Sequence, residues 1–376
     1  MRHFSKLPIT LYIKLKLTDE MDTVSIPQKS LDNQIKRRKH MSKFKKVCAL
    51  IASACLMGAL FTGCGDAPAS NADNDKVTKE SKALTGGGSN IIYIITPPHS
   101  NPFFKTEADT ASAKAKELGY EVKVVIHDDD VAKQSELFDS AINDKAAAII
   151  CDNASSNATV IPVKKAREAN IPTFLIDREI TEKNAAISQI VANNYQGAKG
   201  IAEVFVEAMN GEGTYAELLG RETDTNAHIR SSAFHEVLDS YTGLKMVAQQ
   251  TAHWEQTEAV QIMEYILQNN PNLKGLVCGN DTMAMGALTA IKNAGLQGKV
   301  VVIGLDGSDD AATAIKEGHM LGTALQQAAI MSEMAVEQAD KYLKEGKTGK
   351  DEKQLVDCII ITKDNVAKLK TFIYNN

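Results

Sequence analysis

Ile91-Ile92-Tyr93-Ile94-Ile95-Thr96-Pro97-Pro98-His99-Ser100-Asn101-Pro102-Phe103-Phe104 is the stretch from which the fold can be read. Six residues without polar alternation suit a strand covered on both faces of a parallel sheet. A short polar tip follows. The segment Pro102–Leu118 then has the spacing of an amphipathic helix. Strand, polar tip, helix is the unit that repeats along the rest of the chain.

Working outward, strands are expected at Ile91–Thr96, Glu121–His127, Ala147–Cys151, Thr173–Asp177, Ser188–Ala192, Tyr215–Leu219, Lys245–Thr251, Leu276–Cys278, Val300–Leu305, Gly322–Leu325 and Val356–Ile361. Helices such as Val131–Asn143, Tyr195–Met209, Thr257–Gln268, Asp281–Ala294 and Ile330–Lys344 lie between them. Regular alternation of this kind implies parallel sheets with right-handed crossovers. Eleven strands are many for one doubly wound sheet, so two α/β lobes are expected.

Ligands of open α/β sheets bind outside the carboxyl ends of the strands. Polar residues stand at several of those ends. Asn101-Pro102-Phe103-Phe104 follows the first strand, and Asp177-Arg178 closes the strand at Thr173–Ile176. Gly279-Asn280-Asp281 follows Leu276–Cys278, Asp306-Gly307 follows Val301–Leu305, and Gln326-Gln327 follows Gly322–Leu325. Asn280-Asp281 also suits a helix cap; that role falls to Asp281, leaving Asn280 for ligand. His127-Asp128-Asp129-Asp130 reads as a loop and helix cap, because consecutive side chains do not converge on one metal ion. Phe103 and Phe104 would serve as core residues equally well. Trp254, the chain's only tryptophan, lies in the polar stretch His253-Trp254-Glu255-Gln256, which favours a site.

The N-terminus reads as an address. Lys43, Lys45 and Lys46 precede an uncharged run from Val47 to Phe61, which ends in Thr62-Gly63-Cys64-Gly65. That is the plan of a secretory signal peptide over residues 41–63, and its apolar run is shorter than the roughly 20 residues that a spanning helix needs. Met41 is the expected start, with residues 1–40 an extension that adds nothing to the fold. Residues 64–90 are small and polar and end in Gly86-Gly87-Gly88-Ser89, the composition of a flexible tether. The triple glycine precedes the first strand and has no Lys-Ser/Thr after it, so it is no phosphate loop.

Composition excludes more than it suggests. A formal net charge of -5 argues against a nucleic-acid partner. Cys151, Cys278 and Cys358 are far apart and form no C-x-x-C pair, so they read as buried small hydrophobes and imply neither zinc nor redox chemistry. The chain lacks a Gly-x-Gly-x-x-Gly after the first strand, a Gly-x-Ser-x-Gly elbow and a metal-ligand cluster, so it is not expected to be an enzyme and no cofactor is expected.

The body closely resembles the periplasmic sugar-binding proteins of the ribose-binding type. The resemblance runs from about Ile91 to Thr362. It is carried by Asn101-Pro102-Phe103-Phe104, Leu175-Ile176-Asp177-Arg178, Asp281-Thr282-Met283-Ala284-Met285-Gly286-Ala287 and Val302-Ile303-Gly304-Leu305-Asp306-Gly307. It is similar to the type I periplasmic binding fold, which implies two lobes joined by a hinge of three crossings near Asn193, Leu325 and Val356. Residues 91–192 with 326–355 would form the N-terminal lobe, and 193–325 with 356–376 the C-terminal lobe. By the same resemblance Phe103, Phe104 and Trp254 would sandwich a sugar. Asn101, Asp177, Arg178, Arg230, Asn280, Asp306 and Gln326 would share its hydroxyls.

Trp254 stands where ribose binders usually carry Phe, His228 where a second Arg is common, and Pro97-Pro98-His99 where they have small polar residues. The class is kept while ribose itself is left open. Thr62-Gly63-Cys64 resembles the lipobox of bacterial lipoproteins, with Phe61 in place of the usual Leu, and implies that Cys64 becomes a lipidated first residue. The expectation is a monomeric, extracytoplasmic, lipid-anchored protein that binds a small neutral sugar or polyol and hands it to an ABC transporter permease. The alternatives are the ligand-binding input of a chemotaxis or sensor-kinase receptor and, less favoured, a sugar-modifying enzyme.

Overall fold

The computed structural model describes residues 83–375. The expected extension, signal peptide and lipidated Cys64 lie outside the described residues. In chain order the elements are β1 (Ile91–Thr96), α1 (Pro102–Glu117), β2 (Glu121–Ile126), α2 (Val131–Asn143), β3 (Ala148–Cys151), α3 (Val160–Glu168), β4 (Thr173–Ile176) and β5 (Ser188–Ala192). Then come α4 (Asn194–Ala208), β6 (Glu212–Leu219), α5 (Thr225–Leu238), β7 (Gly243–Thr251), α6 (Gln256–Asn269), β8 (Gly275–Cys278), α7 (Asp281–Asn293), β9 (Val301–Asp306), α8 (Asp309–Glu317) and β10 (Gly322–Leu325). The chain ends with α9 (Ala328–Glu345), β11 (Lys353–Val356), β12 (Ile359–Thr362) and a small hairpin, β13 (Leu369–Lys370) with β14 (Ile373–Tyr374).

Two six-stranded sheets result. The first has the order β11-β5-β4-β3-β1-β2 and is parallel throughout. The second has the order β12-β10-β9-β8-β6-β7, and only its edge strand β12 is antiparallel. Central strands β3, β4, β5 and β8 are buried along their whole length, as continuous apolar runs covered by helices on both faces should be. In each sheet the strand order reverses beside the first strand of that half, between β1 and β3 and between β6 and β8. Those are the points at which α/β sheets open a crevice.

The chain passes from one sheet's layer to the other three times: after β5 into α4, after β10 into α9, and between β11 and β12. The strand expected over Val356–Ile361 is β12 of the second sheet, with only Val356 in β11 of the first, a strand the sequence reading did not anticipate. Asp357 and Cys358 form the break, and an apolar run interrupted by one Asp has nothing in its pattern to reveal a change of sheet.

The tether expected to reach residue 90 is likewise seated on the first lobe from Ala83 onward. Gly87 N donates to Ala146 O at 2.8 Å, Ser89 N to Lys145 O at 2.9 Å, and Leu84 N to the Tyr342 hydroxyl at 3.1 Å. A Cβ on Gly87 would fall 2.5 Å from the Lys145 carbonyl carbon, so this glycine permits backbone to lie against backbone. Cys151, Cys278 and Cys358 are free and buried.

Candidate functional site

The strand ends deliver the side chains. Asn101 caps α1, its Oδ1 accepting from Phe103 N at 3.0 Å. Asn280 does the same for α7, accepting from Met283 N at 2.9 Å. The cap is thus Asn280 and not Asp281 as expected. Asp281, at the first helical position, accepts from Gly307 N and Ser308 N at 2.8 Å each and from Thr323 Oγ1 at 2.7 Å. It pins the loop that carries Asp306. In both asparagines the cap uses only the carbonyl oxygen, so capping and ligand contact are compatible within one side chain.

Asn101, Phe103, Phe104, Asp177, Arg178, Arg230, Trp254, Asn280, Asp306 and Gln326 all line one cavity between the two sheets' carboxyl ends. An eleventh lining residue, Asp224, was not anticipated. It sits in the tip Arg221-Glu222-Thr223-Asp224 that follows β6 and caps α5, accepting from Asn226 N at 2.9 Å. The same strand–tip–helix unit that gave the other residues marks it. His228, by contrast, is exposed and does not line the cavity.

Each lobe supplies an arginine held against an aromatic ring. The Arg178 guanidinium lies 4.8 Å from the Phe104 centroid, and that of Arg230 lies 5.1 Å from Trp254. Arg230 Nε donates to Asn194 Oδ1 at 2.7 Å and Nη1 to Gly279 O at 2.9 Å, with Asp306 Oδ1 3.5 Å away. Gln326 Nε2 donates to that same Asp306 oxygen at 2.7 Å. Trp254 fits because two glycines make room: a Cβ on Gly220 would lie 1.9 Å from its Cζ2, and one on Gly279 2.9 Å from its Cζ3. Phe103 meets Phe104 edge-on at 5.7 Å and Phe372, from the C-terminal hairpin, at 5.5 Å.

Backbone strain collects here as well. Asp177, Trp254 and Asp306 have φ of 55°, 69° and 133°, in a region that L residues occupy at roughly 1–3 kcal/mol each. Such strain persists only where the surroundings over-determine it, and it aims these three side chains into the crevice.

The electrostatics are those of a dry site. Burial, reinforced by Asp224 and opposed by Arg230 and Arg178, pushes the Asp177 carboxyl up to about 6. Burial also raises Asp306 well above the usual carboxylate range, against the pull of Arg230. The lobes touch across the cleft: Arg178 Nε lies 3.0 Å from Asp224 Oδ2, Asn226 Nδ2 donates to Asp177 O at 3.2 Å, and Ser156 N donates to Thr223 O at 3.1 Å. Three buried polar atoms of lining residues make no hydrogen bond: the donors Trp254 Nε1 and Arg178 Nε, the latter only ion-paired to Asp224, and the acceptor Gln326 Oε1. Among the described residues no cluster of His, Cys, Asp and Glu could hold a metal ion.

Comparison with known proteins places this geometry. Residues 92–348 match the periplasmic binding protein domain. The chain is 54% identical over 288 residues to the D-apiose import binding protein of Paraburkholderia graminis, covering 77% of this chain and 92% of that protein. It is 56% identical over 283 residues to the D-apiose import binding protein of Actinobacillus succinogenes, covering 75% and 91%. The ribose import binding protein of Haemophilus influenzae is 30% identical over 260 residues, covering 69% and 88%. Among solved structures, a periplasmic solute-binding protein of an Actinobacillus succinogenes ABC transporter with bound D-allose superposes with a TM-score of 0.70 at 29% identity, covering 74% of this chain and 99% of that one. Two hinged α/β layers, a crevice at the strand ends and these matches agree: the chain belongs to the periplasmic binding protein family, among the sugar-binding proteins of the ribose type.

Proposed function

We propose that this protein captures a small neutral sugar, D-apiose first among the candidates, and delivers it to an ABC importer. The observation that carries the reading is that the cavity wall holds both a donor and an acceptor that are buried and make no hydrogen bond. Trp254 Nε1 needs an acceptor and Gln326 Oε1 needs a donor. A hydroxyl is both at once, and a sugar presents several.

Three carboxylates (Asp177, Asp224, Asp306) stand against two guanidiniums (Arg178, Arg230), so the cavity has no strong preference for an ion of either sign. Rings from both lobes suit the C–H faces of a sugar. A small sugar such as a pentose has about ten heavy atoms. Micromolar affinity for such a ligand needs about 0.8 kcal/mol per heavy atom, below the ceiling of ~1.5.

In this reading the lobes are residues 91–192 with 326–356 and residues 193–325 with 357–376, the boundary expected at 355 moving by one residue because Val356 closes β11. They open at the three crossings and close on the ligand because contacts from both sides are made only in the closed state. Asn101, Phe103, Phe104, Asp177 and Arg178 belong to the first lobe, and Arg230, Trp254, Asn280 and Asp306 to the second. Gln326 sits at a crossing. The family works outside the cytoplasm; here the monomer would be tethered to the membrane through a lipid on Cys64, where the permease receives the sugar.

Isothermal titration with D-apiose, D-ribose, D-allose and myo-inositol tests the assignment. D-apiose is expected to bind most tightly of the four. Tight binding of D-ribose with none of D-apiose would replace the ligand, and binding of none would remove the sugar reading.

A further inference from the structure

Behind the cavity wall lies a charge cluster that sugar capture alone does not explain. Four carboxylates come within 4 Å of the Arg178 guanidinium: Asp129 and Asp224 at 3.0 Å, Asp152 at 3.5 Å and Asp177 at 3.9 Å. Glu107, one turn after Phe103 on the buried face of α1, adds a fifth acid to the same neighbourhood. Glu107 and Asp152 are wholly buried, and all four of their carboxylate oxygens lack a hydrogen-bond partner.

The other groups around them are already committed. Arg178 Nη1 donates to Asp129 Oδ1 and Asn153 O at 3.0 Å each, and Arg221 lies 3.4 Å from Asp129. His127 donates through Nε2 to Asp152 O at 2.9 Å and accepts at Nδ1 from Asp129 N at 3.0 Å, so the neutral ring fits its partners. Cys151 is a buried thiol. Two guanidiniums, Arg178 and Arg221, do not neutralise five acids, and a buried carboxylate stranded without partners takes up a proton instead.

We propose that Glu107 and Asp152 hold one proton between them at neutral pH, and that this pair is a positioning element which keeps Arg178 turned to the sugar. The proposal rests on the sugar-site reading only for the second of these statements. Burial and Asp152 hold the Glu107 carboxyl well above the usual range, and burial raises Asp152 in the same way against Arg178. Loss of the proton would place a second full charge behind the guanidinium and draw it inward, away from the cavity. It would also set two carboxylates against Asp177 and against Asp224, which the second lobe brings in on closure. The raised carboxyl binds its proton in the closed, folded protein, so affinity is complete at neutral pH and declines as pH rises through the titration of the pair.

Infrared titration of the full chain without sugar tests the proton. The wild type should show a protonated-carboxyl C=O band at pH 7 that Glu107→Gln removes; Glu107→Leu serves as a second variant if the first folds poorly. Titration calorimetry with D-apiose tests the positioning role. The wild-type Kd should weaken by up to about tenfold per pH unit once the pair titrates, the limit for one linked proton, and the Glu107→Gln Kd should stay level. No band at pH 7, a band unchanged in both variants, or identical pH profiles in wild type and Glu107→Gln would overturn the proposal. A band in a protein that ignores D-apiose would support the proton and count against the sugar.

Discussion

Trp254 is seated on the bare backbone of Gly220 and Gly279, and a single methyl group tests what that seat does. Gly220→Ala must displace the indole, since its Cβ would stand 1.9 Å from Cζ2. Overpacking of this kind costs about 1–3 kcal/mol, so the D-apiose Kd should weaken by roughly 5- to 150-fold while the fold persists. As the chain has one tryptophan, the loss should also appear as a changed emission spectrum without ligand. Asp177→Asn removes a buried charge that the site can offer a hydroxyl. A charge-assisted hydrogen bond contributes about 1.5–3 kcal/mol, so titration should report affinity lower by roughly 10- to 150-fold. Residues of this kind were legible because each polar tip follows an apolar strand. Asp224 obeys the same rule and was passed over because the helix after it, α5, has almost no amphipathic contrast in sequence: Ala227, His228, Ser231 and Ser232 blur its face. Glu107 and Asp152 could not be read at all, since an acid in a helix or at a strand end looks solvated until packing closes over it.

Two histidines at element ends set opposite limbs of the stability profile. His127, just past β2, is buried and held to about 4 by burial, against the backbone contact to Asp152. Its folded value lies below the ordinary 6.5, so the unfolded chain binds the extra proton and stability is lost as pH falls from about 6.5 toward 4. His235, on α5, is raised to about 9 by its hydrogen bond to Glu217, with Asp239 assisting and burial opposing. Its contribution is complete below about 6.5 and disappears as pH rises through about 9. Melting temperature against pH should therefore be domed, and His235→Gln should flatten the alkaline limb while leaving the acid limb in place. Elements were the most legible scale: β1, β5 and β10 match the sequence reading residue for residue. The failures came where partners outside the segment decide. β11 and β12 split because each finds a different sheet, and Gly86 to Ser89 are ordered because β3's leading residues offer them hydrogen-bond partners.

Across the whole molecule, protein contacts over the cleft should give the closed form stability of its own. Asp224→Asn keeps the helix cap, for which Asn and Asp are equally good, and removes the charge facing Arg178. Arg178 keeps its hydrogen bond to Asp129, so the variant loses one ion pair across the cleft and strands no ion. Small-angle scattering without sugar should show a larger radius of gyration for this variant, and D-apiose should restore compactness at higher concentration than in wild type. The three crossings carry a further consequence. The first sheet borrows its edge strand β11, and a covering helix, α9, from chain that is made only after nearly all of the second sheet. Domains that are continuous in sequence can fold in order as they leave the ribosome. Here the half begun first is finished almost last, so a nascent chain stays incomplete until the ribosome has passed Val356, a schedule that leaves time for an exporter to take it while still unfolded.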